Sequence, residues 1–136
     1  MSIERTYAMI KPDAVIAKND GKIIDIIEHS GFEIIAMKKI RFSPELAESF
    51  YAVHKAKPFF GELVEFLSSG PVIAMILEKE SAIQAWRDLM GATDPEKAEE
   101  GTIRKLFGTN VGINAVHGSD ATETAQEECS LIFPEL

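Results

Sequence analysis

Val72-Ile73-Ala74-Met75-Ile76-Leu77 is an unbroken apolar stretch. A strand with one wet face alternates apolar and polar residues, so this run predicts a central strand covered on both faces. Gly70-Pro71 ends the helical pattern before it. Upstream, Arg5 to Ile10 reads as a strand closed by Lys11-Pro12-Asp13, where Pro12 biases Lys11 toward extended geometry. Phe32 to Phe42 is rich in β-branched and apolar residues and reads as another strand. Downstream, Asn114 to Val116 reads as a short last strand.

Helical spacing fills the gaps. One helix is predicted from Asn19 or Asp20 to Gly31, through Ile23, Ile24 and Ile27. A second starts at Ser43-Pro44, a cap followed by proline in the first turn. A third runs from about Phe59 to Ser69, with Phe60, Leu63, Val64 and Leu67 on one face. A fourth opens on a Ser81/Gln84 capping box and buries Ile83, Trp86 and Met90. Gly91 to Gly112 has little periodicity apart from a turn at Ile103 to Phe107, and long loops of this kind are usually functional. A last helix is expected from Asp120, capped in a box with Glu123, to about Cys129. This order predicts an α/β chain of the α+β sandwich type. It is a ferredoxin-like split βαβ with a four-stranded antiparallel sheet, covering helices and a long active-site loop, in one domain over residues 1–136. The fold alone implies no function.

Composition narrows the choices. The 136 residues carry a net charge of −8, which argues against general nucleic-acid binding. A few placed cations can still make a local site for a small anion. No apolar run approaches a membrane span, and the start of the chain lacks the apolar core of a signal peptide. One cysteine, Cys129, fits a reducing cytoplasm, and three scattered histidines (His29, His54, His117) give no zinc spacing.

Chemistry concentrates in Asn114-Ala115-Val116-His117-Gly118-Ser119-Asp120-Ala121. With Asp120 as the helix cap, His117 is expected at a helix start, where free N–H groups and the dipole favour an anion. A nucleophilic base beside an anion cradle suggests phosphoryl transfer through the imidazole. Ser119 and Asp120 are too near His117 in sequence to make a Ser-His-Asp triad. The chain has no Gly-x-x-x-x-Gly-Lys-Ser/Thr loop and no protein-kinase motif, which leaves a covalent histidine relay as the natural route.

The same eight residues resemble the active-site signature of the nucleoside diphosphate kinase family, in its short bacterial form. The resemblance runs from about Glu4 to Phe133. It takes in Lys11-Pro12-Asp13, Tyr51, Lys57-Pro58-Phe59-Phe60, Ser69-Gly70-Pro71, Arg87, Met90-Gly91-Ala92-Thr93 and Gly101-Thr102-Ile103-Arg104. It implies ping-pong transfer of the γ-phosphoryl of a nucleoside triphosphate to a nucleoside diphosphate, with tolerance of base and sugar. His117 would be the nucleophile, Lys11, Arg87, Thr93 and Arg104 would hold phosphates, and Tyr51 would stand beside the reacting group. Asn114 and Lys11 would contact the ribose, Phe59, Leu63 and Val111 the base, and Glu128 and Ser119 would support the histidine. Mg2+ would arrive on the nucleotide, with no side-chain ligand assigned. The resemblance further implies a cytoplasmic homo-oligomer, tetramer or hexamer, with no membrane partner. Glu99-Glu100, Lys105-Leu106-Phe107 and Asp20 depart from the family's usual residues. Two other functions stand beside this one: a non-catalytic regulatory or nucleotide-binding module that kept the fold and lost the chemistry, and a nucleic-acid-binding role on the sheet. The presence of His117, Lys11 and Arg104 opposes the first, and the charge and lack of paired strand aromatics oppose the second.

Overall fold

The computed structural model describes residues 2–136. In chain order it contains β1 (Ile3–Ile10), α1 (Pro12–Ile16), α2 (Asp20–His29), β2 (Glu33–Arg41), α3 (Pro44–Phe50), α4 (Phe60–Leu67), β3 (Pro71–Glu80), α5 (Ala82–Met90), α6 (Ile103–Phe107), β4 (Val116–Gly118) and α7 (Thr122–Ile132). The strands lie in the order β2-β3-β1-β4, and every neighbouring pair is antiparallel. This is the expected ferredoxin-like α+β sandwich, with α3 and α4 inserted between β2 and β3.

The apolar run in β3 is explained by its two covered faces. Ile73, Met75 and Leu77 join residues of α1, α2, α5 and α6 in one core layer. Val72, Ala74 and Ile76 join residues of α3, α4 and α7 in the other. Side chains alternate along a strand, so double burial removes the polar half of the pattern. β1 behaves in the same way, with Ala8 and Ile10 in the first layer and Tyr7 and Met9 in the second. Among the described residues, no helix is long and apolar enough to cross a membrane.

The helix starts divide into those read correctly and those not. Ser43 caps α3, its hydroxyl accepting the Leu46 N–H at 3.0 Å. Ser81 does not cap α5. Its backbone is left-handed (φ 52°), and Glu4 of β1 accepts the Ile83 N–H at 2.9 Å instead. A tertiary carboxylate has taken the place of the local box. Asp120 does not cap α7 either, because that helix begins two residues later with extended Ala121 at the cap position and no side-chain bond there. α1 was not anticipated at all. Pro12, which reads as the end of a strand, is also a favoured first residue of a helix.

The last strand is displaced from Asn114–Val116 to Val116–Gly118, so His117 lies within a strand and not at a helix start. Pairing with β1 sets the position, through Ala8↔Gly118, Met9↔His117 and Ile10↔Val116. Gly118 is pressed against α5. A methyl group there would overlap the Trp86 indole and lie 2.7 Å from Met90 Cε. We therefore expect Gly118→Ala to lose about 1–3 kcal/mol in urea unfolding, the usual cost of overpacking. Gly61→Ala in α4, where nothing lies within 4 Å, should be neutral or stabilising. Equal effects at the two positions would mean that Gly118 does not set the spacing between β4 and α5.

Candidate active site

Cross-strand partners share a face, so His117 points with Met9 and Tyr7 into the layer that contains α7. On α7, Ala125, Glu128 and Ile132 follow one another at helical spacing on the packed side. Glu128 is thereby aimed at the histidine. His117 Nε2 lies 3.1 Å from Glu128 Oε1, and the buried Ser119 hydroxyl donates to that same oxygen at 2.7 Å. A carboxylate can only accept, so in the neutral ring Nε2 carries the proton and Nδ1 keeps its lone pair. Phe50 meets the imidazole edge-on with centroids 5.0 Å apart, and Tyr7 lies at 6.0 Å. The ring is thus held by a hydrogen bond on one edge and by aromatic surface.

A cleft of about 860 Å³ opens in front of His117, and its wall includes Arg87, Thr93, Arg104 and His54. Arg104 is buried, with Nη1 donating to Gly91 O at 3.0 Å and Nη2 to Val116 O at 2.9 Å. Each of these nitrogens has a second N–H to offer. Burial, and then the charge of Arg87, lowers the Arg104 pKa to about 10. Lys11 is buried at the start of α1 and donates to Asn114 Oδ1 at 2.9 Å. Burial lowers its pKa to about 8, with Arg104 adding to the shift and Asp13 opposing it. The Asn114 amide donates in turn to Thr93 O and Val111 O, both at 3.0 Å. One buried amide therefore links Lys11, the loop at Thr93 and the loop at Val111. Cations in an otherwise acidic chain give the cleft the field that an anion needs.

The structure gathers His117, Glu128 and Ser119 into one hydrogen-bonded group and Lys11, Asn114 and Thr93 into another. Arg87, Thr93, Arg104 and His117 share the cleft wall. Tyr51 is buried at the end of α3 against Phe50, and burial followed by the Glu128 charge pushes its pKa up to about 12. Phe59 and Val111 are exposed and Leu63 is half-buried, and none of the three is on the cleft wall. Phe59 reaches the cleft through His54, whose ring lies 5.8 Å from it and 6.1 Å from Tyr51. The sequence reading overlooked His54, although it stands one helical turn after Tyr51. It also overlooked Phe50 and Asp13. Among the described residues there is no cluster of three or more His, Cys, Asp or Glu side chains placed to hold a metal.

The sequence model of the nucleoside diphosphate kinase family matches residues 4–136. A nucleoside diphosphate kinase of Persephonella marina is 54% identical over 136 residues, covering 100% of this chain and 97% of the relative. The crystal structure of the Aquifex aeolicus nucleoside diphosphate kinase superposes with a TM-score of 0.95 at 50% identity, covering 97% of this chain and 96% of that one. A halophilic nucleoside diphosphate kinase from Halobacterium salinarum, solved in complex with CDP, gives a TM-score of 0.93 at 42% identity, covering 97% and 88% of the two chains.

The hydrogen bond to Glu128 makes a direct prediction for the imidazole. Nitrogen-15 spectra of the histidines should show His117 as the Nε2–H tautomer. Glu128→Gln replaces a charge-assisted bond with a neutral one that can donate as well as accept, removing a bias of about 1.5–3 kcal/mol. A mixture of tautomers should follow. The same single tautomer in the variant would show that Glu128 does not orient the ring.

Proposed function

The chain belongs to the nucleoside diphosphate kinase family, and on that premise we propose that it moves the γ-phosphoryl group of a nucleoside triphosphate to a nucleoside diphosphate through a phosphohistidine at His117 Nδ1. The carrying observation is the commitment of Nε2 to Glu128 on the wall of a cleft that holds Arg87 and Arg104. In the first half-reaction the Nδ1 lone pair attacks the γ-phosphorus. The N–P bond forms as the bond to the β,γ-bridging oxygen breaks, and the electron pair leaves on the diphosphate. In the second, a terminal oxygen of the acceptor diphosphate attacks the same phosphorus and the N–P pair returns to the ring.

Charge in such a transition state spreads over the equatorial oxygens, so fixed donors do most of the work. Arg87, Arg104, Thr93 and Lys11 serve the phosphates in this proposal. The Tyr51 hydroxyl, protonated far above neutral pH, is a donor beside the reacting group. Glu128 and Ser119 hold the ring while it gains positive character. Mg2+ carried on the nucleotide's phosphates would neutralise part of their charge, with no side-chain ligand assigned to it. Asn114 and Lys11 reach the ribose, and Phe59, Leu63 and Val111 flank the base.

Those three side chains offer a ring face and aliphatic surface without a hydrogen-bonding group, so bases are distinguished only weakly. The relative solved with CDP supports nucleotides as the substrate class. A homo-oligomer in the cytoplasm completes the proposal. β2 is an edge strand and leaves Met37 half exposed, as a strand that pairs with another subunit would.

Incubation with γ-labelled ATP and no acceptor should label His117 with an acid-labile, base-stable adduct, and His117→Ala should abolish it. Adding ADP, GDP, CDP or UDP to the isolated phosphoprotein should discharge the label at rates within about 10³-fold of one another. Label on Ser119, or label that no diphosphate removes, would overturn the relay.

Lys11 adds a pH dependence. Its charge is present below a pKa of about 8 and is lost above it. We expect kcat/KM to fall about tenfold by pH 9, while the kcat limb moves upward because bound phosphates favour the protonated amine. Lys11→Met should lower the plateau by about 10²–10³-fold and show no limb near pH 8. A flat wild-type profile through pH 9.5 would exclude a role for the Lys11 charge.

A further inference from the structure

Among the described residues three non-glycine residues have a positive φ, and of these Ala115 alone is buried. Its φ is 76°, and the N–H of Val116 donates to Asn114 O at 2.9 Å across it. That is a γ-turn in its rare, strained form, centred two residues before His117. Both polar groups of Ala115 are occupied. Its carbonyl accepts the Lys11 N–H at 2.8 Å, and its N–H donates to Asp13 Oδ2 at 3.1 Å. The first bond is backbone to backbone and does not depend on which side chains are present. The second is the sole side-chain bond to the turn's central residue among the described residues.

Asp13 is poorly accounted for as a surface acid. It is half-buried, and its other oxygen, Oδ1, is buried without a hydrogen-bond partner. Burial raises its pKa, against the pull of Lys11 and of backbone N–H groups including that of Ala115. A desolvated carboxylate is costly to keep, and the strained peptide is the clearest structural use for this one.

We propose that Asp13 is a positioning residue, whose carboxylate holds Ala115 in its left-handed turn and so sets Asn114 on one side and His117 on the other. It touches neither substrate nor the reacting atoms. The proposal rests on the phosphohistidine reading for its kinetic consequence, but the restraint itself concerns the fold. When Asp13 no longer holds the turn, the three-residue strand that follows has freedom to rotate. Small misplacements of a nucleophile typically cost about 10–100-fold in rate. Binding that depends on Arg87 and the cleft wall should suffer less, so kcat should fall further than KM rises.

The test is a cycle of Asp13→Ala and Ala115→Gly, singly and together. Glycine takes positive φ without strain, so it makes the restraint less necessary. Asp13→Ala should slow single-turnover labelling of His117 by about 10–100-fold when Ala115 is present. In the Ala115→Gly chain the loss should shrink to within about threefold. Melting temperatures of the four proteins should show the same coupling and need no turnover. An Asp13→Ala chain that folds only when Ala115→Gly is also present is the same result in stronger form. Equal losses in both backgrounds, or no loss at all, would overturn the proposal. If wild-type protein takes no label on His117, the relay fails while the melting cycle still decides whether Asp13 restrains the turn.

Discussion

β4 is three residues long, and the geometry of the site depends on its pairing with β1. The parity of that pairing decides what the histidine meets. In the observed register His117 faces Phe50, Tyr7 and Glu128, while Val116 faces the layer of Ile23, Trp86 and Ile103. A slip of one residue would exchange the two, placing an imidazole in an apolar layer and a valine against a carboxylate. Three residue pairs alone would not hold so short a strand. Register is secured by Gly118 against Trp86, by the Trp86 N–H donating to His117 O at 3.2 Å, and by the Ser119 N–H donating to Tyr7 O at 3.3 Å.

The second constraint is electrostatic. The chain as a whole is acidic, with a net charge of −8, yet Lys11 and Arg104 are buried, Arg104 on the wall of the cleft that His117 also lines. A buried cation is ordinarily paired with a carboxylate, which steadies it and cancels its charge. Here the partners are neutral acceptors: Asn114 Oδ1 for Lys11, and the carbonyls of Gly91 and Val116 for Arg104. These fix the direction of each group without neutralising it, and only the Asp13 carboxylate near Lys11 offsets part of that lysine's charge. The lowered pKa values of Lys11 and Arg104 record the cost of this arrangement. Under the proposed function a phosphate would recover that cost on entering, because the positive field is already oriented and needs no reorganisation.

What was legible in the sequence follows the range of the interactions. The buried run at residues 72–77, the Ser43-Pro44 start and the helical stripe of α4 are set by period and local chemistry, and each is found where it was expected. Glu128 was named only through the family resemblance, and helical spacing explains why it lies on the packed face of α7. The failures share one cause. The Ser81 box lost to Glu4, a residue 79 positions away from the N–H it accepts. The position of β4 came from β1, about a hundred residues earlier, and the role of Asp13 required its contact with Ala115 across 102 positions. Local pattern cannot weigh a competitor that only the tertiary fold brings near.

The misplaced cap of α7 changes what orients the imidazole. A helix start beside His117 would have offered a diffuse dipole, able to attract an anion but unable to choose between the two ring nitrogens. The helix starts farther along, and its contribution arrives from its second turn as one carboxylate oxygen. That oxygen accepts from both His117 and Ser119, so a rotation of Glu128 that releases the imidazole also leaves the buried Ser119 hydroxyl without an acceptor. Each bond therefore raises the cost of breaking the other. The aromatic rings of Phe50 and Tyr7 close much of the remaining space around the imidazole. Orientation, tautomer and shielding thus come from side chains on three different elements, β1, α3 and α7. They converge because β4 fixes one face of His117 toward all of them.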